Sequence, residues 1–234
     1  MRKTKEECLD LPVISRRMQE IKPDRARLDE YNELVEKIKS SKKSSHHGHH
    51  GFGNSSGGSN ILEIMSKLRY IASVGKVVGV SQWLSDHFYQ SSNKDTIVVF
   101  VWFKDTATSL RDAMISISSS SNRNCQDSNS NSMNHSINWR SDSRTNCNRH
   151  LPISCEILTG DVDFQSRQAL VDKFQSGNLN VLICTYGVGS TGLTLTRSHT
   201  VVLVDRPWSP GDLLQAEDRI RRIGRLQVYF MQNI

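Results

Sequence analysis

The chain has 234 residues, a formal net charge of +6, 36% hydrophobic and 23% charged residues. That length allows one large or two small domains, and the basic balance weakly favours an anionic partner. No apolar run reaches a membrane span and "MRKTKEECLD" has no secretory apolar stretch, so a soluble intracellular protein with no membrane partner is expected.

Residues 11–21, "LPVISRRMQEI", have the look of a short strand. "KPDRARLDEYNELVEKIK" follows as a helix, with Pro23 near its first turn and Leu28, Tyr31, Leu34, Val35 and Ile38 at helical spacing. Residues 41–60 are Ser-, His- and Gly-rich and have little to bury, so they are expected to be a disordered insert. "ILEIMSKLRYIASVGKVVGVSQWLSDHF" predicts two helical segments separated near Gly75. "TIVVFVWF" (96–103) is a continuous β-branched and aromatic run, the mark of a strand covered on both faces. The helical piece "TATSLRDAMI" leads into a second expected disordered insert, 116–149.

Strand "CEILTG" (155–160) is followed by helix "DFQSRQALVDKFQSG", whose Phe164, Leu170, Val171 and Phe174 share one face. Strand "NVLICTY" (180–186) opens into the glycine-rich turn "GVGSTGLTLT". Strand "TVVLVD" (200–205) precedes a polar helix, and "LQVYFM" is a last strand. This alternation argues for a doubly wound α/β domain, whose ligands bind beyond the carboxyl ends of the strands. Cys155 and Cys184 lie in strand-like runs and are expected to be buried thiols in a reducing compartment.

The polar helix reads "QAEDRIRRIGR". With Gln215 at zero, Arg219 falls at roughly +40° and Arg222 at roughly −20°, so the three form one stripe. Leu213, Ala216, Ile220 and Ile223 centre roughly 120° away, as the face that packs on the sheet, and Arg221 points elsewhere at roughly 240°. The stripe is either an anion site, since guanidinium forks bind phosphate, or a solvated face pairing with Glu217, Asp218 or a nearby loop. Gly187, Gly189 and Gly192 one strand earlier permit close approach of backbone N–H groups to an anion, which favours phosphate.

Residues 185–225, from "TYGVGSTGLTLT" through "VVLVDRPWSPGD" to "QAEDRIRRIGR", resemble the fifth and sixth motifs of the Swi/Snf-like ATPases, a branch of the superfamily-two helicases. "IVVFVWF" resembles that family's fourth motif, "ILTGDVDFQSRQALVDKFQ" the segment after it, and "LPVISRRMQEI" the end of the first motor lobe. The resemblance implies a RecA-like second helicase lobe over 61–234, interrupted by the insert at 116–149, with 1–40 as the tail of the first lobe. It implies an ATP-dependent double-stranded DNA translocase, acting in chromatin remodelling or annealing, in the nucleus, with nucleosomes among its expected partners. Arg219 and Arg222 would reach the γ-phosphate of ATP–Mg²⁺ on the first lobe, with Gln215 and Gly192 lining the nucleotide cleft. Lys104, Thr185 and Gly189 would touch DNA phosphates. Trp208 matches the tryptophan before the sixth-motif helix and would contact DNA with them, with core packing as its alternative role.

The sequence departs from the family pattern at Ser190, Thr194, Arg221 and Arg225, and a few residues are expected to be missing after Gly224. It holds no G-x-x-x-x-G-K-[ST]: "SVGKVVG" has the Gly-Lys pair, but Tyr70 stands where the first glycine belongs. No D-E-x-H follows an apolar strand. The expectation is therefore a second motor lobe, a fragment or truncated product, completed by a first lobe encoded elsewhere. The alternative is a non-catalytic remnant that binds DNA or protein. A nucleotide-using transferase of similar layout has no motif here. Cys125, His135, Cys147 and His150 match no common zinc spacing, and "HHGHH" sits among flexible residues, so no metal site is expected.

Overall fold

The computed structural model describes residues 14–44, 57–91, 95–123, 153–189, 193, 195–218, 220 and 226–233. In chain order the elements are β1 (Ile14–Ile21), α1 (Arg25–Ser44), α2 (Gly57–Gly75), α3 (Val77–Gln90), β2 (Ile97–Val101) and α4 (Lys104–Arg123). They continue with β3 (Cys155–Leu158), α5 (Phe164–Gln175), β4 (Val181–Thr185), the single turn α6 (Tyr186–Gly189), β5 (Thr200–Leu203), α7 (Pro210–Asp218) and β6 (Leu226–Asn233).

The six strands form one sheet in the order β1-β6-β5-β2-β4-β3, and every pairing is parallel. The apolar runs explain this arrangement. All five residues of β2 and of β4 are buried, which requires cover on both faces. Alternate residues supply two cores. Val98, Phe100, Leu182, Cys184, Val201 and Leu203 meet Val171 and Phe174 of α5 and Ala216 of α7. Ile97, Val99, Val101, Val181 and Ile183 face the other way, onto Val80 and Leu84 of α3 and Leu110 and Met114 of α4. The doubly wound parallel sheet expected from the sequence is the observed architecture.

β1 pairs with β6 along its whole length, from Ile14 opposite Leu226 to Ile21 opposite Asn233. The first described residues therefore complete the same sheet. α3 approaches the end of β1 closely: a Cβ on Gly79 would lie 2.8 Å from the Lys22 carbonyl oxygen and 3.0 Å from Ile21 Cβ.

Some sequence expectations need correction. Phe164 has the helical phase of Val171 and Phe174 but is 79% exposed. It opens α5, whose twelve residues span about 18 Å, whereas four-residue β3 spans about 13 Å, so the helix overhangs its strand. α4 continues to Arg123, past residue 116, and α1 continues to Ser44, past residue 41. Helix propagation adds one hydrogen bond per residue, so a helix anchored by a packed face runs on into polar sequence. α2 likewise begins at Gly57, inside the first expected insert. Residues 45–56 and 124–149 of the two expected inserts lie outside the described residues, as do Cys125, His135, Cys147, His150 and the "HHGHH" run.

Candidate functional site

After β2 the chain lays β3 and β4 on one side of it, then crosses to lay β5 and β6 on the other. The order reverses between β2 and β5, so a crevice opens at their carboxyl ends, where doubly wound folds hold ligands. The residues leaving β2 are Trp102, Phe103 and Lys104; those leaving β5 are Val204, Asp205 and Arg206; β4 ends beside them at Thr185.

Asp205 ties these exits together. It is 7% exposed, and its Oδ2 accepts the Trp102 backbone N–H at 2.9 Å and the Ser73 hydroxyl at 2.7 Å. Ser73 also bonds Thr106 at 2.8 Å, in the first turns of α4. The Tyr186 hydroxyl, just past β4, donates to the Asp205 carbonyl at 2.6 Å. Lys76 Nζ donates to the Val204 carbonyl at 2.6 Å and lies 3.9 Å from Asp205 Oδ1. A buried carboxylate demands such donors, and these come from α2, β2 and the α2–α3 junction.

Burial pushes the Lys76 ammonium below its ordinary value; Asp205 pulls it back, and the nearby Arg206 and Arg69 guanidiniums push it down further. The Tyr186 phenol is raised, by burial first and then by the Asp205 charge. Lys76, the lysine of the lone Gly-Lys pair, is thus committed to the fold. It does not fit the role of a phosphate-cradling lysine, and among the described residues no triphosphate cradle forms around it.

Arg69 of α2 crosses the mouth of the crevice. Its guanidinium lies 4.9 Å from the Trp102 ring and 4.4 Å from the Trp208 ring, and Nη2 donates to the Arg206 carbonyl at 2.6 Å. Arg206 itself turns away, over the Phe230 ring at 5.2 Å.

The expected site residues fall out as follows. Trp208 is 60% exposed on the loop before α7, which rules out core packing for it. Lys104 opens α4 and forms an exposed ion pair with Asp161, from the loop after β3. Thr185 is buried at the end of β4, and Gly189 closes α6. Gln215 is exposed on α7 and Ala216 is buried, in agreement with the helical phase read from the sequence; Ile220, past the end of α7, is buried too. Gly192, Arg219 and Arg222, together with Arg221, Ile223 and Arg225, lie outside the described residues.

The sequence did not single out Asp205, Ser73, Arg69 or the burial of Glu217. Glu217 is 2% exposed and receives both ends of the Arg16 guanidinium, Nε at 3.0 Å and Nη2 at 2.6 Å. Its carboxylate is thereby engaged by β1; whether the stripe arginines also reach it lies outside the described residues. A signal for Arg69, Ser73 and Lys76 does exist: the i, i+4, i+7 spacing puts three polar residues on one side of an otherwise apolar segment.

The helicase conserved C-terminal domain family matches residues 79–224, from α3 through the end of the sixth-motif segment. The chain belongs to that family. It is a Swi/Snf-like lobe within it: over 72 residues, 30% of the chain, it is 42% identical to TATA-binding protein-associated factor MOT1 of Saccharomyces cerevisiae. It is 36% identical over 76 residues, 32% of the chain, to the Caenorhabditis elegans homologue of SWI/SNF-related matrix-associated actin-dependent regulator of chromatin subfamily A-like protein 1. These stretches cover 4% and 11% of the two relatives, so the lobe spans a small part of their length. The lobe's fold is similar to that of the Sulfolobus solfataricus SWI2/SNF2 ATPase core solved with double-stranded DNA. The TM-score is 0.62 at 17% identity, covering 99% of this chain and 43% of that one.

Proposed function

We propose that this lobe is the C-terminal half of an ATP-driven double-stranded DNA translocase. In this reading Lys104, Thr185, Gly189 and Trp208 lie along the DNA, and Gln215, Gly192, Arg219 and Arg222 face a nucleotide held by a first lobe. The observation that carries it is the convergence of the β2, β4 and β5 exits at the switch point, where Asp205 fixes them together. Lys104 and Trp208 leave that convergence on exposed segments, within reach of a large anionic partner. Thr185 contributes through backbone placement, because its side chain is buried.

The internal commitment of Lys76 supports a triphosphate and Mg²⁺ held by another lobe rather than by this one. When bound there, the nucleotide supplies the free energy of phosphoryl transfer. The share of this chain is to offer guanidinium charge to it and to grip the DNA. A nuclear location and work on nucleosomes belong to the same proposal; the printed names of the eukaryotic relatives support them.

Two measurements test the reading. The chain should bind duplex DNA without sequence preference, with affinity falling steeply as salt rises, since each phosphate contact adds about 0.9 to the logarithmic slope. Salt-independent or strongly sequence-selective binding would overturn it. With a first lobe supplied, Arg219→Ala and Arg222→Ala should each reduce kcat by roughly 10³–10⁵ while leaving DNA affinity intact, and Arg221→Ala should change little. Effects no larger than about twofold for all three, far below the range of an arginine finger, would make the stripe a solvated face.

A further inference from the structure

The loop that carries Trp208 is held from outside its own motif. Residues 206–209 leave β5, cross the crevice and enter α7, with Arg206, Trp208 and Ser209 all exposed. An exposed tryptophan on such a loop has no packing of its own to fix it. Arg69, distant in sequence on α2, supplies that restraint in three ways at once. Its guanidinium stacks under Trp208 at 4.4 Å, rests on half-buried Trp102 at 4.9 Å and donates to the Arg206 carbonyl at 2.6 Å. Trp102 is itself pinned through its backbone N–H to Asp205, and Lys104 follows it by two residues.

We propose that Arg69 is a positioning residue: it clamps the Trp208 loop to the exit of β2 and so sets the spacing between Trp208 and Lys104. This rests on the DNA-contact reading of those two residues. The chemistry requires arginine. A planar guanidinium can lie between two aromatic faces and still donate in its own plane, whereas an ammonium on a flexible stem cannot do all three. The clamp has Arg69 act through Trp208, because its guanidinium lies over both indole rings and one Nη2 donor is held by the Arg206 carbonyl; a direct phosphate contact by its other N–H groups would show in the salt slope.

The test uses the chain labelled with fluorotryptophan, as wild type, Arg69→Lys, Arg69→Ala, Trp208→Ala and the Arg69→Lys/Trp208→Ala double variant. Fluorine NMR reads the Trp208 environment without DNA, and titration with a duplex at several salt concentrations reads affinity and slope. Arg69→Lys should move the Trp208 resonance and weaken DNA binding roughly two- to thirtyfold, the span of a cation–π contact. It should leave the salt slope unchanged and add nothing to Trp208→Ala. Arg69→Lys keeps the charge and the helix propensity, so it remains informative if Arg69→Ala fails to fold.

Wild-type binding by Arg69→Lys, an unmoved Trp208 resonance, or additivity with Trp208→Ala would overturn the clamp. So would a slope reduced by about 0.9, which would mean that Arg69 touches a phosphate itself. Failure of the wild-type chain to bind any duplex would instead overturn the DNA reading, and the clamp's purpose with it.

Discussion

Arg16→Ala is expected to destabilise the chain well beyond the value of a surface ion pair. Glu217 is 2% exposed and takes two charged hydrogen bonds from Arg16, at 3.0 and 2.6 Å, across the junction of β1 and α7. Removing the guanidinium leaves the carboxylate buried without these donors. Breaking a buried pair in this way costs about 3–5 kcal/mol. The Arg16 side chain is 48% exposed, so water recovers part of the loss and the lower end, about 3 kcal/mol, is expected. For a chain of this size that lowers Tm by roughly 6–12 °C. Urea titration should show the midpoint falling with an unchanged slope, the mark of lost stability without a change in compactness. The Arg16→Ala/Glu217→Leu double variant, which removes the stranded charge, should be more stable than Arg16→Ala alone. A loss below about 0.5 kcal/mol for Arg16→Ala would place the pair with exposed surface bridges and refute the argument.

Two further expectations follow from burial. The thiols of Cys155 and Cys184 are both pushed up to about 12, chiefly by burial, so the folded chain keeps protons that the unfolded chain loses above pH 9. Stability should therefore fall between pH 9 and pH 12 by about 1.4 kcal/mol per pH unit for each thiol. Between pH 9 and pH 10, below the range in which the raised Tyr186 and Tyr70 phenols add to the fall, Cys184→Ala should roughly halve that slope in urea titrations, with Lys76→Met as a control because the lowered Lys76 value acts in the opposite sense. An unchanged slope in Cys184→Ala would count against it. Gly79→Ala should destabilise by about 1–3 kcal/mol despite the better helix propensity of alanine, because the new Cβ meets the Lys22 carbonyl at 2.8 Å; calorimetry showing a raised Tm would contradict the close approach.

The central strands were legible because burial on both faces leaves a continuous apolar run, as in Ile97–Val101, and the crossover helices because a single buried face leaves a 3.6-residue period. The orientation of α7 was legible on the same ground, through exposed Gln215 and buried Ala216. Periodicity gives direction but not what lies beneath, and Phe164 shows the difference. Glu217 adjoins the buried face of α7, yet only the arrival of Arg16 from β1 makes burial of a carboxylate affordable, and no local pattern carries that information. The Asp205 site was hidden for the same reason. Its donors, Ser73 and the Trp102 N–H, come from other elements more than a hundred residues away in the chain. The exposure of Trp208 is a property of its loop, which a lone tryptophan in a sequence does not disclose.

The pairing of β1 with β6 also bears on how the lobe is made. Ile14 lies opposite Leu226, so the first described strand finds its partner only after about 200 further residues have been added. During synthesis at about 5–20 residues per second, β1 waits roughly 10–40 s for the strand that must slot between it and β5. The edge of β5 is open for the last part of that interval, about 1–5 s at the same rate, and until then the inner half of the sheet must hold its register through β2 and β4 alone. Closure then depends on one long-range event late in folding, the kind of step that loop-closure entropy makes slow. Chains stalled before Leu226 would present two unmatched strand edges at once, and a chaperone that binds extended backbone would meet this lobe in that state.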